Sequence, residues 1–244
     1  MHSTKKKHKI KISLIIPIFN EEKRIHNLKT LWSFVKNKTY IREIIIVNDG
    51  RTDNTKKALL EFQKTTKCIV VSYRKNKGKG WAIKKGVEVA RGTHVVFIDV
   101  DLSTPPKMIG VLKKIIATKD VIIGTRKNSK AILTMRQPKL REEMGKFFTM
   151  LSQTILSVHV SDFTCGFKCF SIKAARHIFK KQQIKRWAFD SESLFLAHKY
   201  GYSIGEIPVE WKDSQGTKVR FPQDAISSFY DLLKIRVTDL LGKY

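Results

Sequence analysis

Cysteine is scarce in this 244-residue chain: there are three, Cys68, Cys165 and Cys169. An odd, low count without paired spacing argues against a disulfide framework and for a reducing compartment. Cys165 and Cys169, with His159 and His177 nearby, lack the spacing of a zinc knuckle and are expected to be small buried hydrophobes. Acidic residues are also few, 21 against 48 basic ones, which leaves a formal charge of +27. A field of that size attracts polyanions such as nucleic acid, anionic headgroups or phosphate-rich substrates, and does not choose among them. No uninterrupted apolar run approaches the roughly 20 residues that span a bilayer. The lysine-rich start, Met1 to Lys11, is followed by Ile12 to Phe19, a strand-length run broken by Pro17 and unlike a signal-peptide core. The chain is therefore expected neither to be exported by its own signal nor to cross a membrane.

What is present is 42% hydrophobic residues, enough for one large α/β domain with an elaborated second half. Ile12–Ile18, Ile44–Val47, Ile69–Tyr73, Val95–Ile98 and Val121–Ile123 read as buried strands. Helical patterns separate them, over Glu21–Val35, Thr52–Lys64, Gly80–Ala90 and Pro105–Ala117. This alternation predicts a mainly parallel sheet with helices on both faces. Beyond Gly124 the rhythm changes, with helices expected over Glu142–Leu156, Ile172–Phe179 and Asp190–Tyr200 and strands over Phe163–Phe170 and Gly205–Trp211. Ile226, Phe229, Tyr230, Leu233, Val237 and Leu240 recur at helical spacing near the end. The expected organisation is a basic tail over 1–9, a catalytic domain over 10–222, and an amphipathic helix over 223–244 that either lies in a membrane interface or packs on the domain.

Carboxylates follow three of the strands: Glu21 after Pro17-Ile18-Phe19-Asn20, Asp49 in Asn48-Asp49-Gly50, and Asp99-Val100-Asp101. In open α/β sheets the ligand sits beyond the carboxyl ends of the strands, so all three acids are expected at one edge. A pair such as Asp99 and Asp101 suits Mg²⁺ or Mn²⁺ held jointly with substrate phosphates, although D-x-D alone is more often a solvated loop. Asp49 could accept a hydrogen bond from a base or ribose, while Asp53 or Thr52 caps the next helix. Glu21 equally suits the first turn of a helix. Lys77-Gly78-Lys79-Gly80 is a glycine-rich turn whose amides could meet phosphate, without being a P-loop. Arg126 follows the fifth strand and could fork onto phosphate. Between Lys107 and Lys146, eleven basic residues face three acids, a surplus that suits headgroups.

These strings, in order, resemble inverting glycosyltransferase family two. Asp162-Phe163-Thr164-Cys165-Gly166-Phe167-Lys168, Arg186-Trp187-Ala188-Phe189-Asp190-Ser191-Glu192 and Gly216-Thr217-Lys218 resemble its dolichyl-phosphate glucosyl- and mannosyltransferase branch, the glucosyl side more closely. The resemblance implies a GT-A, Rossmann-like fold from about Ile10 to Leu241. It implies that Pro17, Phe19, Glu21 and Asp49 hold a nucleoside; Lys79 and Gly80 are further candidates for binding substrate. Asp99 and Asp101 would hold the metal and diphosphate, Arg126 would lie near phosphate, and Lys218 would lie near the acceptor. Ser103 stands where the mannosyl enzymes carry a metal-binding glutamine, and Arg51 replaces a small residue.

The expected activity is hexosyl transfer from a UDP- or GDP-sugar to a polyprenyl phosphate such as dolichyl or undecaprenyl phosphate, with glucose ahead of mannose. Asp101, Arg126 and Asp190 are the catalytic candidates. An anionic phosphate acceptor needs no strong base; a sugar-hydroxyl acceptor would need one, with Asp190 or Glu192 as candidates. The expected setting is the cytoplasmic face of the endoplasmic reticulum or a bacterial inner membrane, with a membrane-anchoring subunit or a homo-oligomer as possible partners. The rival class is a basic nucleic-acid-binding protein, against which stands the lack of an aromatic-basic or helix-turn-helix signature.

Overall fold

The computed structural model describes residues 9–50, 52–214, 218, 220 and 222–244. Arg51, Gly216, Thr217 and all but Lys9 of the basic tail lie outside the described residues. Nine strands and eight α-helices are present among those described. The strands are β1 (Ile12–Ile18), β2 (Ile41–Asp49), β3 (Ile69–Tyr73), β4 (His94–Phe97), β5 (Val121–Thr125), β6 (Ile132–Met135), β7 (Lys168–Ser171), β8 (Ile204–Pro208) and β9 (Glu210–Lys212). The helices are α1 (Ile25–Val35), α2 (Thr55–Thr65), α3 (Lys79–Val89), α4 (Lys107–Ile115), α5 (Lys139–Leu156), α6 (Ile172–Lys181), α7 (Phe189–Lys199) and α8 (Gln223–Leu240).

Seven strands form the main sheet in the order β3-β2-β1-β4-β7-β5-β8. β1–β2, β1–β4, β2–β3 and β5–β8 pair in parallel, in keeping with the mainly parallel sheet expected from the alternation in the first half. Ile/Val-rich strands buried on both faces explain why the runs are continuous rather than alternating. Successive side chains point to opposite faces. Ile15, Ile45 and Val47 enter a core shared with α3, α6, α7 and α8. Leu14, Ile16, Ile44 and Ile46 enter another shared with α1, α2 and α4.

The exception in the sheet is β7, which runs antiparallel between β4 and β5, pairing Phe97 with Lys168 and Ile123 with Lys168. An antiparallel strand begins where its neighbours end. The segment that leads into β7, Asp162 to Phe167, is therefore delivered to the same edge as the acids that follow β1, β2 and β4.

The sequence-based boundaries hold with local shifts. The segment expected as helix from Glu21 opens as a short 3-10 turn, Glu22–Arg24, before α1. The strand expected over Phe163–Phe170 is confined to Lys168–Ser171, its first five residues forming loop. The run Gly205–Trp211 divides into β8 and β9. Strand β6 was not expected. It is mostly exposed and pairs with β9 in a separate two-stranded sheet, so it carries no buried run to betray it.

Candidate active site

Asp49 ends β2 and is 3% exposed. Its Oδ1 accepts from the Lys77 amide at 2.8 Å. Its Oδ2 accepts from the Gly78 amide and Asn76 Nδ2, both at 2.8 Å. Gly78 has φ +104°, and a Cβ there would lie 2.5 Å from the Lys185 carbonyl, so this turn needs glycine. The Trp81 amide donates to that same carbonyl. The expectation that the amides of this turn meet phosphate is thereby narrowed to those of Lys79 and Gly80: those of Lys77 and Gly78 serve Asp49, and that of Trp81 serves Lys185. Asp49 likewise spends both oxygens organising the turn, and Gly80 packs against Phe189 and Gln182.

What the turn presents is Lys79. Its Nζ lies 2.7 Å from Asp99 Oδ1. Burial opposes a charge there, but Asp99 and Asp190 outweigh it and hold the ammonium above its ordinary range. Asp101 stands beside Asp99 across Val100, and its Oδ1 accepts from the Ser103 amide at 2.9 Å. A turn closes around the pair, the Leu102 amide donating to the Asp99 carbonyl at 3.1 Å, and Leu102 at φ 52° redirects the chain beyond it. Burial, then the charge on Asp99, raises the Asp101 carboxyl. Gly166 lies against Asp99 so closely that a Cβ would sit 1.9 Å from Oδ2.

Two half-buried hard-oxygen ligands that repel each other are a donor set that fits Mg²⁺ or Mn²⁺. No third His, Cys, Asp or Glu joins them in a metal-binding group among the described residues, which leaves the remaining coordination to water and phosphate oxygens. Ser103 contributes its backbone to Asp101.

Around this centre stand the other expected residues. Glu21 is 7% exposed; burial raises its carboxyl against the pull of Arg24 and Lys218, and Asp101 is close enough to raise it further. Lys218 Nζ donates to the Asn20 carbonyl at 2.8 Å. Pro17 is partly exposed in β1 opposite Val47, and Phe19 follows the strand partly exposed. Arg126 is held by Asp162, from Nε at 2.7 Å and Nη2 at 2.9 Å, with Thr164 Oγ1 at 2.8 Å from Nη2. Its guanidinium faces the Trp211 ring at 5.3 Å. Burial works against ionisation of Asp162, yet Arg126 holds its carboxyl at about 2.

The two acids of α7 are both held by the protein. Glu192 is fully buried, accepting from the Gln183 and Ile184 amides and the Tyr244 hydroxyl. It is a structural carboxylate and is excluded as a base. Asp190 is 7% exposed and its Oδ1 is ion-paired with Lys168 Nζ at 2.6 Å, so the carboxylate is held by a buried cation that the sequence did not single out. Lys168 was overlooked in sequence reasoning. It is 1% exposed and also donates to the Cys165 carbonyl at 2.6 Å. A lysine inside an apolar Phe-Lys-Cys-Phe run was the available signal. Asn48 was overlooked too: it is 1% exposed at the end of β2, with Oδ1 lacking a partner among the described residues. Cys165 and Cys169 are free and buried, as expected.

The model of the family described as glycosyl transferase family 2 matches residues 13–179, which include Glu21, Asp49, Lys79, both acids of the central pair and Gly166. The chain belongs to that family. It is a glycosyltransferase of GT-A fold. Its relatives include a dolichyl-phosphate beta-glucosyltransferase of Trichomonas vaginalis, 33% identical over 96% of this chain and 75% of that one. Another, from Saccharomyces cerevisiae, carries the same name and is 32% identical over 96% of this chain and 76% of its own. Among solved structures, glucosyl-3-phosphoglycerate synthase of Mycobacterium tuberculosis with Mg²⁺ and uridine diphosphate superposes with a TM-score of 0.69. That match runs at 18% identity over 97% of this chain and 80% of the other. The same enzyme with Mn²⁺, uridine diphosphate and phosphoglyceric acid gives 0.67 at 17% identity, over 97% and 79%. These structures share the fold.

Proposed function

We propose that this glycosyltransferase moves glucose from UDP-glucose to a polyprenyl phosphate, dolichyl phosphate being the acceptor that its relatives' names carry. The observation that carries the reading is the convergence of Asp99, Asp101, Lys79 and Arg126 at one rim of the sheet. Cations and paired acids together suit a site that handles two phosphate-bearing substrates.

Asp99 and Asp101 would hold Mg²⁺ or Mn²⁺ against the donor diphosphate. When bound, the ion neutralises charge that builds on the leaving group. Lys79, already beside Asp99, is placed to share that role. Asn48 supports a nucleobase N–H at the β2 end, since a buried acceptor without a partner is costly. Glu21, Pro17 and Phe19 line the same edge. Arg126, oriented by Asp162, and Lys218 are cations suited to the acceptor phosphate. An acceptor phosphate oxygen attacks the anomeric carbon as the bond from that carbon to the donor diphosphate breaks, with inversion. That oxygen is anionic at neutral pH, so no base is required, in keeping with Asp190 being paired to Lys168.

The reading places the protein at the cytoplasmic face of a membrane that contains polyprenyl phosphate. The test offers radiolabelled UDP-glucose, GDP-mannose and UDP-N-acetylglucosamine with polyprenyl phosphate and Mn²⁺. Label from UDP-glucose is expected in the lipid phase and should vanish in Asp101→Ala. Label from another donor alone, or none in the lipid phase, overturns the reading.

A further inference from the structure

Most of the apolar residues of α8 face away from the domain, beyond what packing by Leu232 and Ile235 requires. The buried residues are Asp224, Ser228, Leu232, Ile235 and Thr238. The apolar stripe read from the sequence is outward: Ile226 is 54% exposed, Phe229 38%, Tyr230 66%, Leu233 40%, Val237 53% and Leu240 73%. At about 100° per residue those six lie within an arc of about 100°, opposite the buried set. Charge is sorted with equal consistency. Lys234 and Arg236 flank the stripe, one on each side. The three acids, Asp224, Asp231 and Asp239, project toward the buried half, where Asp239 meets Lys199.

Helix α5 packs against α8 and also turns apolar residues outward. Thr149, Ser152 and Leu156 are its buried residues, while Leu140, Phe147 and Met150 are 68%, 58% and 52% exposed. It also adjoins the active site. Lys127, next to Arg126, donates to the Gly145 carbonyl and to Thr149 Oγ1. Ser152 meets Ser191, next to Asp190.

We infer that the outward faces of α8 and α5 form a docking surface for an anionic phospholipid bilayer, with the apolar stripe inserted among the acyl chains at the headgroup boundary. Charge on α8 selects this occupant. There, cations stand at both margins of the apolar stripe and the acids are withdrawn to the opposite side, while on α5 the one acid within the outward arc, Glu143, is paired with Lys146. That arrangement suits lipid phosphates and would repel a second copy of a chain that carries +27. None of the described helices is long and apolar enough to cross a membrane, so lipid contact by the described residues is made through a surface. The inference deepens the reading above, on which it rests for its purpose: a lipid-borne phosphate must reach Arg126, and α5 holds the bilayer beside that residue.

The experiment is co-flotation of the full chain with vesicles of phosphatidylcholine alone or with 30% phosphatidylserine, roughly. Neither contains polyprenyl phosphate, so the result is independent of the acceptor. The wild type should float with the anionic vesicles, and Leu233→Glu/Val237→Glu should lose about tenfold or more of that partitioning. Leu60→Glu, on α2 and 49% exposed, should float like the wild type. Circular dichroism and transfer to a short-chain, water-soluble polyprenyl phosphate confirm that the double variant is folded and competent. Equal flotation of the double variant, or no flotation of the wild type on anionic vesicles, overturns the inference. A wild-type dimer that does not float and that the double variant dissolves would assign the face to a second copy and overturn it as well. Flotation that persists while no polyprenyl phosphate is glucosylated sinks the acceptor reading and leaves the surface standing.

Discussion

Replacing Gly166 by alanine should disable the enzyme without unfolding it. The added Cβ would sit 1.9 Å from Asp99 Oδ2 and 2.7 Å from Cγ, whereas real Cβ atoms keep at least 3.0 Å. The carboxylate must retreat by about 1 Å to restore contact distance. It can do so, because its side chain is 34% exposed and its main tether is Lys79. The cost therefore falls on position rather than on packing. A displacement of about 1 Å at a reacting centre is worth about a hundredfold in rate, or roughly 2.7 kcal/mol of barrier. Gly145→Ala is the matched control. Nothing lies within 4 Å of a Cβ at Gly145, and its place inside α5 predicts a gain of up to about 1 kcal/mol from helix propensity. The assay is steady-state glucosyl transfer across a Mn²⁺ titration, with melting temperatures recorded for both variants. Gly166→Ala should show kcat/KM down about a hundredfold and a weaker response to metal, with its melting temperature within a few degrees of wild type. Near-normal kcat/KM and metal response in that variant would refute the assignment of Asp99 to the reacting centre.

Three further outcomes follow from the same geometry. Uridine diphosphate with Mn²⁺ should raise the melting temperature of the wild type and leave Asp101→Ala unmoved, read by thermal shift. Lys168→Met should cost about 3 to 5 kcal/mol in chemical denaturation, because it strands the Asp190 carboxylate beside an apolar side chain; adding Asp190→Asn should recover part of that loss. Acid sensitivity should track Asp162, whose carboxyl is held at about 2 against an ordinary 3.8. A depressed carboxylate stabilises fully above its unfolded value, so about 2 kcal/mol should be present above pH 4 or so and disappear as pH falls toward about 2. Asp162→Asn should be less stable at neutral pH and show a shallower fall across that window, measured by urea unfolding.

Much of this was legible in the chain itself. The Ile/Val runs of β1 to β5, the helices between them and the acids that follow β1, β2 and β4 are local features. Hydrophobic burial at strand and helix period fixes them, and the strand-end rule then gathers Glu21, Asp49, Asp99 and Asp101 at one edge. The ordered motifs indicated the family before any coordinate was known. What lay beyond local pattern is what distant segments do to one another. That β7 enters antiparallel between β4 and β5, and so brings Asp162, Gly166 and Lys168 to the site, is a choice among pairings that short strands do not encode. Asp49 was legible as a strand-end acid, but that the turn at Asn76 to Gly78, distant in sequence, is organised on both of its oxygens was not. That a buried lysine pairs with Asp190 was equally beyond local pattern. The apolar stripe of α8 was visible as spacing alone. Which way it faces depends on the shape of the groove that α5 and α7 leave for it, and that shape is set only when the domain has packed.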